Sequence, residues 1–408
     1  MKCVLHIGTE KTGTTLLQDW LFENRDELSR QRVYLPTTLG KKNHRLFPAF
    51  FQRKLDDWAT RMKVRSEADK EKLFAGFSET FAQEVSEARK HHDVFIITSE
   101  QLHSRIEDRE TVSRIKDFLD RHFTEMTIIC YFRDQADMAV SLYSTALKGS
   151  EKASLDQFLS RTVTADSPYY NFKDIADRWG AVFGQEHCVF KPYDRASFDK
   201  GDLRLDFLKS LPQPVDPSSL SYDTTSSNES LPPLVATAFR QINTHVPYWT
   251  EAGGMSKLNA RLKWKVSALE SLQTGKLDSP RKPAIRDMFM ESNAAFLAQY
   301  LPPGAQLAAS PPQPVEQRMF SLQEVEAILE NTLSALLPIL QPEPTSSLLG
   351  SDADHLRDIA VKIEQGTAPS LQDAAALMNL ALRARPKGQL IRKKVEDYAA
   401  RLKQTGGA

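Results

Sequence analysis

The sequence predicts an α/β fold of three layers, in which helices enclose a central and mainly parallel sheet, followed by an all-helical C-terminal region. Three observations predict it. Short apolar runs alternate with amphipathic helical patterns in the first half of the chain. Those runs are continuously apolar, as expected for strands that are covered on both faces. After about residue 230, no convincing strand pattern appears.

Four apolar runs are expected to form the strands of the sheet. They comprise residues 2–7, 94–98, 126–132 and 187–191. Helical periodicity predicts the helices of the first half, which span residues 16–28, about 110–122, from the end of the third strand to about 148, 154–160, 171–183 and about 202–210. The charged residues 44–91 are expected to be mostly helical. Strands and helices that alternate in this way indicate parallel pairing.

The rest of the chain has only helical patterns. These cover residues 232–245, 255–273, 281–300, 319–340, 353–364, 370–384 and 388–403. Pro-rich stretches at 302–314 and 342–351 are expected to be exposed linkers. We therefore predict three parts: an α/β domain over residues 1–231, a helical extension over 232–340 that packs on it, and a C-terminal helical segment over 341–408.

Composition argues against several functional classes. The 53 Lys and Arg residues equal the 53 Asp and Glu residues, so no nucleic-acid partner is expected. No apolar run approaches the roughly 18 residues of a transmembrane helix. The first residues lead into a strand rather than a signal peptide, so we expect a cytoplasmic protein. Cys3, Cys130 and Cys188 are widely spaced, which favours buried thiols over disulfides or a zinc site.

A basic stretch near the C-terminus departs from this even balance. Residues 383–403 carry eight Lys or Arg side chains against two acidic ones. A basic helix is able to contact an anionic polymer or the surface of a membrane. The other interpretation is a solvated charged face, so peripheral membrane contact stays an open alternative.

A polar turn between the first strand and the first helix is the strongest functional signal. It runs from Gly8 to Thr15 and reads Gly-Thr-Glu-Lys-Thr-Gly-Thr-Thr. Glycine lets the backbone approach an anion closely, and a helix N-terminus offers free N–H groups and the positive end of its dipole. Lys11 adds a full charge. We therefore predict a phosphate- or sulfate-binding loop in a P-loop-like fold, the alternative being a tight turn with a threonine cap.

The loop differs from the nucleoside-triphosphate pattern, in which lysine directly follows the second glycine. Here Thr14 follows Gly13, and Lys11 precedes it by two residues. The order Lys-Thr-Gly-Thr-Thr resembles the 5′-phosphosulfate loop of sulfotransferases that use 3′-phosphoadenosine 5′-phosphosulfate (PAPS). The wider string from His6 resembles bacterial carbohydrate-type members, and the resemblance covers about residues 1–231. It implies that five residues hold the 5′-phosphosulfate: Lys11, Thr12, Gly13, Thr14 and Thr15.

A second motif follows the third predicted strand. Arg133 ends that strand, and Ser141 lies eight residues later in the next helix. Open α/β sheets bind ligands at the carboxyl ends of their strands, and arginine bonds phosphate oxygens with a fork of donors. The pair resembles the sulfotransferase motif for the 3′-phosphate. The alternative is a surface arginine paired with Asp134 or Asp137.

Two further segments bear on the nucleotide. Tyr193 follows the fourth predicted strand, where cytosolic sulfotransferases carry a Tyr-Glu-Asp group that contacts adenine. The resemblance implies an adenine contact for Tyr193, and core packing is the alternative. Residues 228–231 read Asn-Glu-Ser-Leu, which resembles a segment of bacterial members. We expect it either to contact the nucleotide or to cap a helix.

Sulfuryl transfer needs in-line positioning, charge stabilisation and a base that takes a proton from the acceptor. The second predicted strand leads into Ser99-Glu100-Gln101-Leu102-His103, where the resemblance implies the catalytic residue. Glu100 is the first candidate because it is nearest the strand. His103 is the second, because its ordinary pKa suits a base near neutral pH. The structural alternatives are that Glu100 caps the following loop and that His103 is merely an exposed side chain. Lys11 would also stabilise the leaving phosphate oxygen, and no metal is implied.

The sequence therefore predicts a PAPS-dependent sulfotransferase acting on a hydroxyl, or less readily an amine. The resemblance implies a carbohydrate acceptor, whose pocket we expect among residues 36–75 and the helical C-terminal half. Two alternatives stay open. A phosphate-loop nucleotide kinase would bind Mg·ATP and needs an aspartate at the end of a central strand, where this chain has Arg133. A non-catalytic scaffold would bind partners through its helical C-terminal half.

Overall fold

The structure is a computed structural model of the chain. It describes residues 1–224, 230–250, 254–307, 321–340, 350–366 and 370–405. Asn228 and Glu229 of the Asn-Glu-Ser-Leu segment lie outside the described residues, as do most of the two Pro-rich stretches. The chain divides into two compact units, Met1–Leu336 and Leu337–Ala408.

One sheet of five parallel strands forms the centre of the first unit. The strands are β1 (Lys2–His6), β2 (Val33–Tyr34), β3 (Val94–Thr98), β4 (Met126–Phe132) and β5 (Cys188–Pro192). Their order in the sheet is β2, β3, β1, β4, β5. β1 is central, with Cys3 opposite Phe95 of β3 and Leu5 opposite Ile128 of β4. The predicted α/β fold with a parallel sheet is confirmed, and β2 is an edge strand that the sequence pattern missed.

Helices connect the strands and cover the sheet. Up to residue 209 they are α1 (Thr14–Glu23), α2 (Arg25–Arg30), α3 (Leu46–Phe51), α4 (Asp57–Arg61), α5 (Glu67–Leu73), α6 (Phe77–Ala88), α7 (Gln101–Ser104), α8 (Arg109–Asp120), α9 (Gln135–Lys148), α10 (Leu155–Thr162), α11 (Phe172–Phe183) and α12 (Leu203–Lys209). The later helices are α13 (Pro233–His245), α14 (Lys257–Ser267), α15 (Lys282–Met288), α16 (Met290–Tyr300), α17 (Leu322–Leu340), α18 (Asp352–Gln365), α19 (Leu371–Ala384) and α20 (Gln389–Thr405).

Two helices predicted as continuous are interrupted. The predicted helix 16–28 breaks at Asn24, whose side-chain amide donates to the carbonyls of Trp20 and Ser221, each at 3.0 Å. Its side-chain oxygen accepts from the backbone N–H of Ser221 at 2.7 Å. This tie to a distant loop outweighs helix propensity at that residue. The predicted helix 281–300 likewise divides at Phe289 into α15 and α16.

Side chains of successive strand residues alternate between two apolar layers. On one face, Val4, Ile96 and Ile129 belong to a single cluster with helical residues, among them Leu17, Trp20, Leu21, Leu28, Leu203 and Phe207. On the other face, the ring of Phe95 lies 5.9 Å from Phe81 and 5.2 Å from Phe123. The strands are therefore buried on both sides, which explains their continuously apolar sequences.

The second unit has a small core of its own, in which α19 packs against α18 and α20. Buried residues of this core include Ala360, Met378 and Tyr398. Ion pairs add to it, with Arg385 bonded to Asp354 and both Lys394 and Arg401 bonded to Glu364. Three of the eight basic side chains of 383–403 are thus paired inside the unit. Within the described parts of the chain, no helix combines the length and apolarity needed to cross a membrane.

Two buried histidines are held as neutral rings, His6 at the end of β1 and His44 beside the sheet. The Nδ1 atom of His44 accepts a hydrogen bond from the backbone N–H of Thr98 at 3.0 Å. The Nδ1 atom of His6 lies 2.9 Å from the hydroxyl of Thr98. Burial lowers the pKa of His44 and of His6 to about 3. The folded chain therefore disfavours the protonated form of both rings.

We expect acid to destabilise the fold below the ordinary histidine pKa of about 6.5. The unfolded chain binds a proton at His44 before the folded chain does, so the free energy of unfolding falls with falling pH, by at most about 1.4 kcal/mol per unit for each buried ring. His44→Asn keeps an acceptor and removes the titration. Denaturant unfolding at pH 7 and pH 5 is expected to show a smaller loss in this variant than in wild type.

The exposed His91→Asn substitution is the matched control for loss of an imidazole. An equal loss of stability in His44→Asn and wild type between the two pH values would contradict the role of His44.

Candidate functional site

The carboxyl edge of the sheet opens into a cavity of about 1310 Å³. Four strands lead into it, because β1 continues into the loop 8–13, β3 into Glu100, β4 into Arg133 and β5 into Tyr193. Parallel strands present their carboxyl ends at one edge, where ligands bind in this class of fold. Eight predicted site residues line the cavity together: Lys11, Gly13, Thr14, Thr15, Glu100, Arg133, Ser141 and Tyr193.

The loop between β1 and α1 presents a run of unpaired backbone donors. Lys11 and Gly13 have positive φ angles of 70° and 73°. Among the described residues, none accepts a hydrogen bond from the backbone N–H groups of residues 11–16. No side-chain cap occupies the start of α1 either. Successive N–H groups in a turn of this kind form an anion-binding concavity at the positive end of the helix dipole.

Buried threonines fix the loop to the sheet. The hydroxyl of Thr9 donates to the carbonyl of Tyr131 at 2.9 Å, and the hydroxyl of Thr12 donates to the carbonyl of Thr9 at 2.6 Å. The Thr12 side chain therefore shapes the loop, while its backbone N–H is one of the unpaired donors. A Cβ on Gly13 would lie 2.8 Å from Leu203 and 3.1 Å from the hydroxyl of Tyr193, so only glycine fits there.

Three cations gather beside the loop. Lys11 Nζ donates to Thr145 Oγ1 at 2.7 Å, and Arg133 Nη1 donates to the carbonyl of Lys11 at 3.1 Å. Lys148 lines the same cavity. In the part of the chain that the structure describes, no carboxylate forms an ion pair with any of the three. An anion at this point would relieve their mutual repulsion.

The protonation of Lys11 reflects this crowding. Burial lowers the pKa of Lys11, and the charges of Lys148 and Arg133 lower it further, whereas Glu10 and Glu100 raise it. Burial also lowers the pKa of Lys148. A bound anion would favour the charged form of both lysines and so raise their pKa values again.

Helix α9 contributes one continuous face to the cavity. Ser141, Thr145 and Lys148 follow one another at intervals of four and three residues, which places them on the same side of the helix. Sequence reasoning identified Ser141 and missed Thr145 and Lys148. Their helical spacing from Ser141 is the signal that was available.

Glu100 projects into the cavity as a carboxylate held by amides. It accepts hydrogen bonds from Gln18 Nε2 at 2.7 Å, from Asn43 Nδ2 at 3.0 Å and from Gln101 Nε2 at 3.0 Å. The described residues place no cation at ion-pair distance from it. Its orientation is therefore fixed by neutral donors.

His103 lies behind the loop rather than in the cavity. Its Nε2 atom bonds the carbonyl of Tyr169 at 2.9 Å, and its Nδ1 atom accepts from the N–H of Glu10 at 3.5 Å. It is 1% exposed, so the interpretation of His103 as an exposed side chain is wrong. Burial lowers its pKa to about 4. Both nitrogens are occupied by backbone groups, which leaves Glu100 as the better-placed base.

A further group of cavity residues is linked by ion pairs. Arg45 bonds Asp56 at 2.6 Å, and its guanidinium lies 4.9 Å from the ring centre of Trp58. Arg105 bonds the same aspartate at 2.9 Å and lies 4.0 Å from Glu10 of the loop. Tyr248 reaches the cavity from the region after α13. The site thus combines the cations at the loop and α9 with a group of ion-paired and aromatic side chains.

Metal ligation receives no support from side-chain clusters. Among the described residues, no three or more His, Cys, Asp or Glu side chains are grouped so that they could hold a metal ion. The three cysteines are unbonded thiols, with Cys3 and Cys130 buried and Cys188 half-buried.

Comparison with known proteins adds one partial similarity. A curated protein of Archaeoglobus fulgidus, which is named only as an uncharacterized protein, is 26% identical to this chain over 139 residues. The match covers 34% of this chain and 33% of that protein, so the two align over about a third of either length. No family model matches the chain, and no solved structure matches it.

Proposed function

We propose that this chain is a sulfotransferase that moves the sulfuryl group of PAPS to a hydroxyl group of an acceptor. The observation that carries the proposal is the run of unpaired N–H groups at residues 11–16, beside cations that no carboxylate pairs with in the described chain. PAPS carries anionic groups at both ends, a 5′-phosphosulfate and a 3′-phosphate. Two neighbouring anion contacts on one cavity wall match such a donor.

The resemblance and the side chains that line the cavity support the following donor contacts. The loop N–H groups and Lys11 bind the 5′-phosphosulfate, while Arg133 and Ser141 bind the 3′-phosphate. The bond from Arg133 to the carbonyl of Lys11 fixes the arginine to the loop at 3.1 Å. Because the two contacts are coupled in this way, the donor is oriented before reaction. Tyr193, which packs against Gly13, is the candidate adenine contact.

The transfer uses groups that already line the cavity. The acceptor oxygen attacks sulfur, and the bond between sulfur and the 5′-phosphate oxygen breaks in line. Glu100 takes the proton that the acceptor hydroxyl loses. Lys11 stabilises the negative charge that develops on the leaving phosphate oxygen. The products are the sulfated acceptor and 3′-phosphoadenosine 5′-phosphate (PAP).

The aromatic and ion-paired side chains of the cavity support a carbohydrate acceptor. Trp58 and Tyr248 line the cavity and offer aromatic faces of the kind that pack on apolar ligand surfaces. Asp56 is paired with Arg45 and with Arg105. A hydroxyl-rich glycan suits a wall of that composition, in line with the resemblance to carbohydrate-type sulfotransferases.

PAP is expected to raise the melting temperature of the chain, whereas Mg·ATP is not. Arg133→Ala removes the 3′-phosphate contact and is expected to weaken PAP binding roughly tenfold or more, since a hydrogen bond to a charged group contributes about 1.5–3 kcal/mol. Thermal shift measured with each nucleotide tests this. Arg121→Ala, at an exposed arginine remote from the cavity, is the matched control.

Each result of that experiment separates the candidate functions. Stabilisation by Mg·ATP alone would contradict the sulfotransferase and favour a nucleotide kinase. Stabilisation by neither nucleotide would favour a non-catalytic scaffold, for which removal of residues 341–408 and a partner-binding assay is the next experiment.

Glu100→Gln is expected to keep PAP affinity and to lower turnover about 10²-fold or more, because it removes the base without removing a donor contact. Labelled PAPS offered with a panel of sugars, lipids and phenols measures turnover. His103→Gln is the comparison, and we expect it to retain most of the activity, since His103 faces the backbone of Tyr169. The reverse result, with His103→Gln inactive and Glu100→Gln unchanged, would assign the base to His103.

A further inference from the structure

Two buried carboxylates follow Arg133 closely in the chain. Asp134 and Asp137 begin α9, and each is 5% exposed. Asp134 caps the helix, because its Oδ1 accepts from the backbone N–H of Asp137 at 3.0 Å. Acidic residues in the first turn stabilise a helix. The same two charges also repel any anion that binds at Arg133, and they compete with it for the guanidinium.

Helix α15 supplies two cations that pair with these carboxylates, and one of them, Lys282, is shared with Asp278 at 2.6 Å. Arg286 contacts Asp134 with two nitrogens, Nε at 3.1 Å and Nη2 at 3.2 Å. Lys282 Nζ lies 2.9 Å from Asp137 Oδ1, and Arg286 Nη2 lies 3.7 Å from the same oxygen. Lys282 and Arg286 are four residues apart and so share one face of the helix.

A pair of amides ties the next helix to the same turn. Gln135 Nε2 donates to Asn293 Oδ1 at 2.7 Å, and Asn293 Nδ2 donates back to Gln135 Oε1 at 3.0 Å. Three of the first four residues after Arg133 are therefore held by side chains of α15 and α16. These contacts anchor the turn that follows Arg133 to α15 and α16.

Because of these contacts, Arg133 remains a cation that lines the cavity. It donates to the carbonyl of Lys11, and the described chain places no carboxylate on its guanidinium. The sequence leaves open that Arg133 pairs with Asp134 or Asp137. In the structure both carboxylates are bonded to α15 instead, which explains why the arginine next to them remains a cation of the cavity wall.

We propose that Lys282 and Arg286 are positioning residues of the anion site, which neutralise Asp134 and Asp137 and thereby keep Arg133 available to a phosphate group. Neither residue lines the cavity. Their effect acts through Arg133. The inference rests on the proposed function only for the identity of the ligand, PAP, because any phosphate bound at Arg133 meets the same two carboxylates.

Arg286→Ala is expected to weaken PAP binding about tenfold, since it exposes Arg133 and its ligand to an unneutralised carboxylate. Asp134→Asn added to this variant is expected to restore affinity to within about twofold of wild type. Asparagine is as good an N-cap as aspartate, so the second substitution removes the charge and keeps the helix start. Isothermal titration of each variant with PAP measures the effect.

Arg281→Ala is the matched control. Arg281 directly precedes α15 and bonds Asp156 and Ser160 at the surface, so its loss removes the same charge from the same segment. It is expected to bind PAP as wild type does. Equal affinity of Arg286→Ala and wild type would overturn the proposal, and so would an Arg286→Ala defect that Asp134→Asn leaves uncorrected, which is the result of a purely structural role.

Two further outcomes have their own tests: a variant that does not fold, and a wild-type chain that does not bind PAP. If Arg286→Ala does not fold, the single variant Asp134→Asn decides: PAP binding at least as tight as wild type supports the proposal, and weaker binding overturns it. If wild type binds no PAP, the proposed donor is wrong, and the same variants are titrated with inorganic pyrophosphate. Loss and rescue with pyrophosphate still support the positioning role, and their absence overturns it.

Discussion

The parallel pairing of β1 with β3 and β4 is the constraint on which the rest of the structure depends. It brings the carboxyl ends of strands that are far apart in sequence to one edge of the sheet, so that Lys11, Glu100 and Arg133 line one cavity. Parallel strands require crossover helices, and those helices bury both faces. The turn from β1 into α1 therefore connects the sheet to its first helix and also presents several unpaired N–H groups.

The electrostatics of the cavity follow from this placement. On the loop side, Lys11 and Arg133 are held by neutral oxygens, the hydroxyl of Thr145 and the carbonyl of residue 11. Elsewhere in the cavity, Asp56 is shared between Arg45 and Arg105. Burying an unpaired cation costs free energy, so a protein that leaves two of them together gains stability when an anion arrives.

Local patterns in the sequence indicated the cavity-lining residues that directly follow a strand. The loop 8–15, Glu100 and Arg133 each follow an apolar run, and strand ends in such sheets meet at one edge. The two residues of β2 are too few to show a periodic pattern, and the break at Asn24 depends on Ser221. The burial of His103 depends on Tyr169. Contacts of this kind join distant residues whose pairing no local spacing encodes.

The turn after β4 places a negative charge immediately after the arginine that we propose to bind an anion. Asp134 caps the start of helix α9, and its charge would oppose an anion bound at Arg133. Pairing from outside the turn allows both, because Arg286 bonds the carboxylate and leaves the capping oxygen bonded to the backbone. Helix α15 therefore contributes to the electrostatics of the loop side, although its side chains Lys282 and Arg286 do not line the cavity.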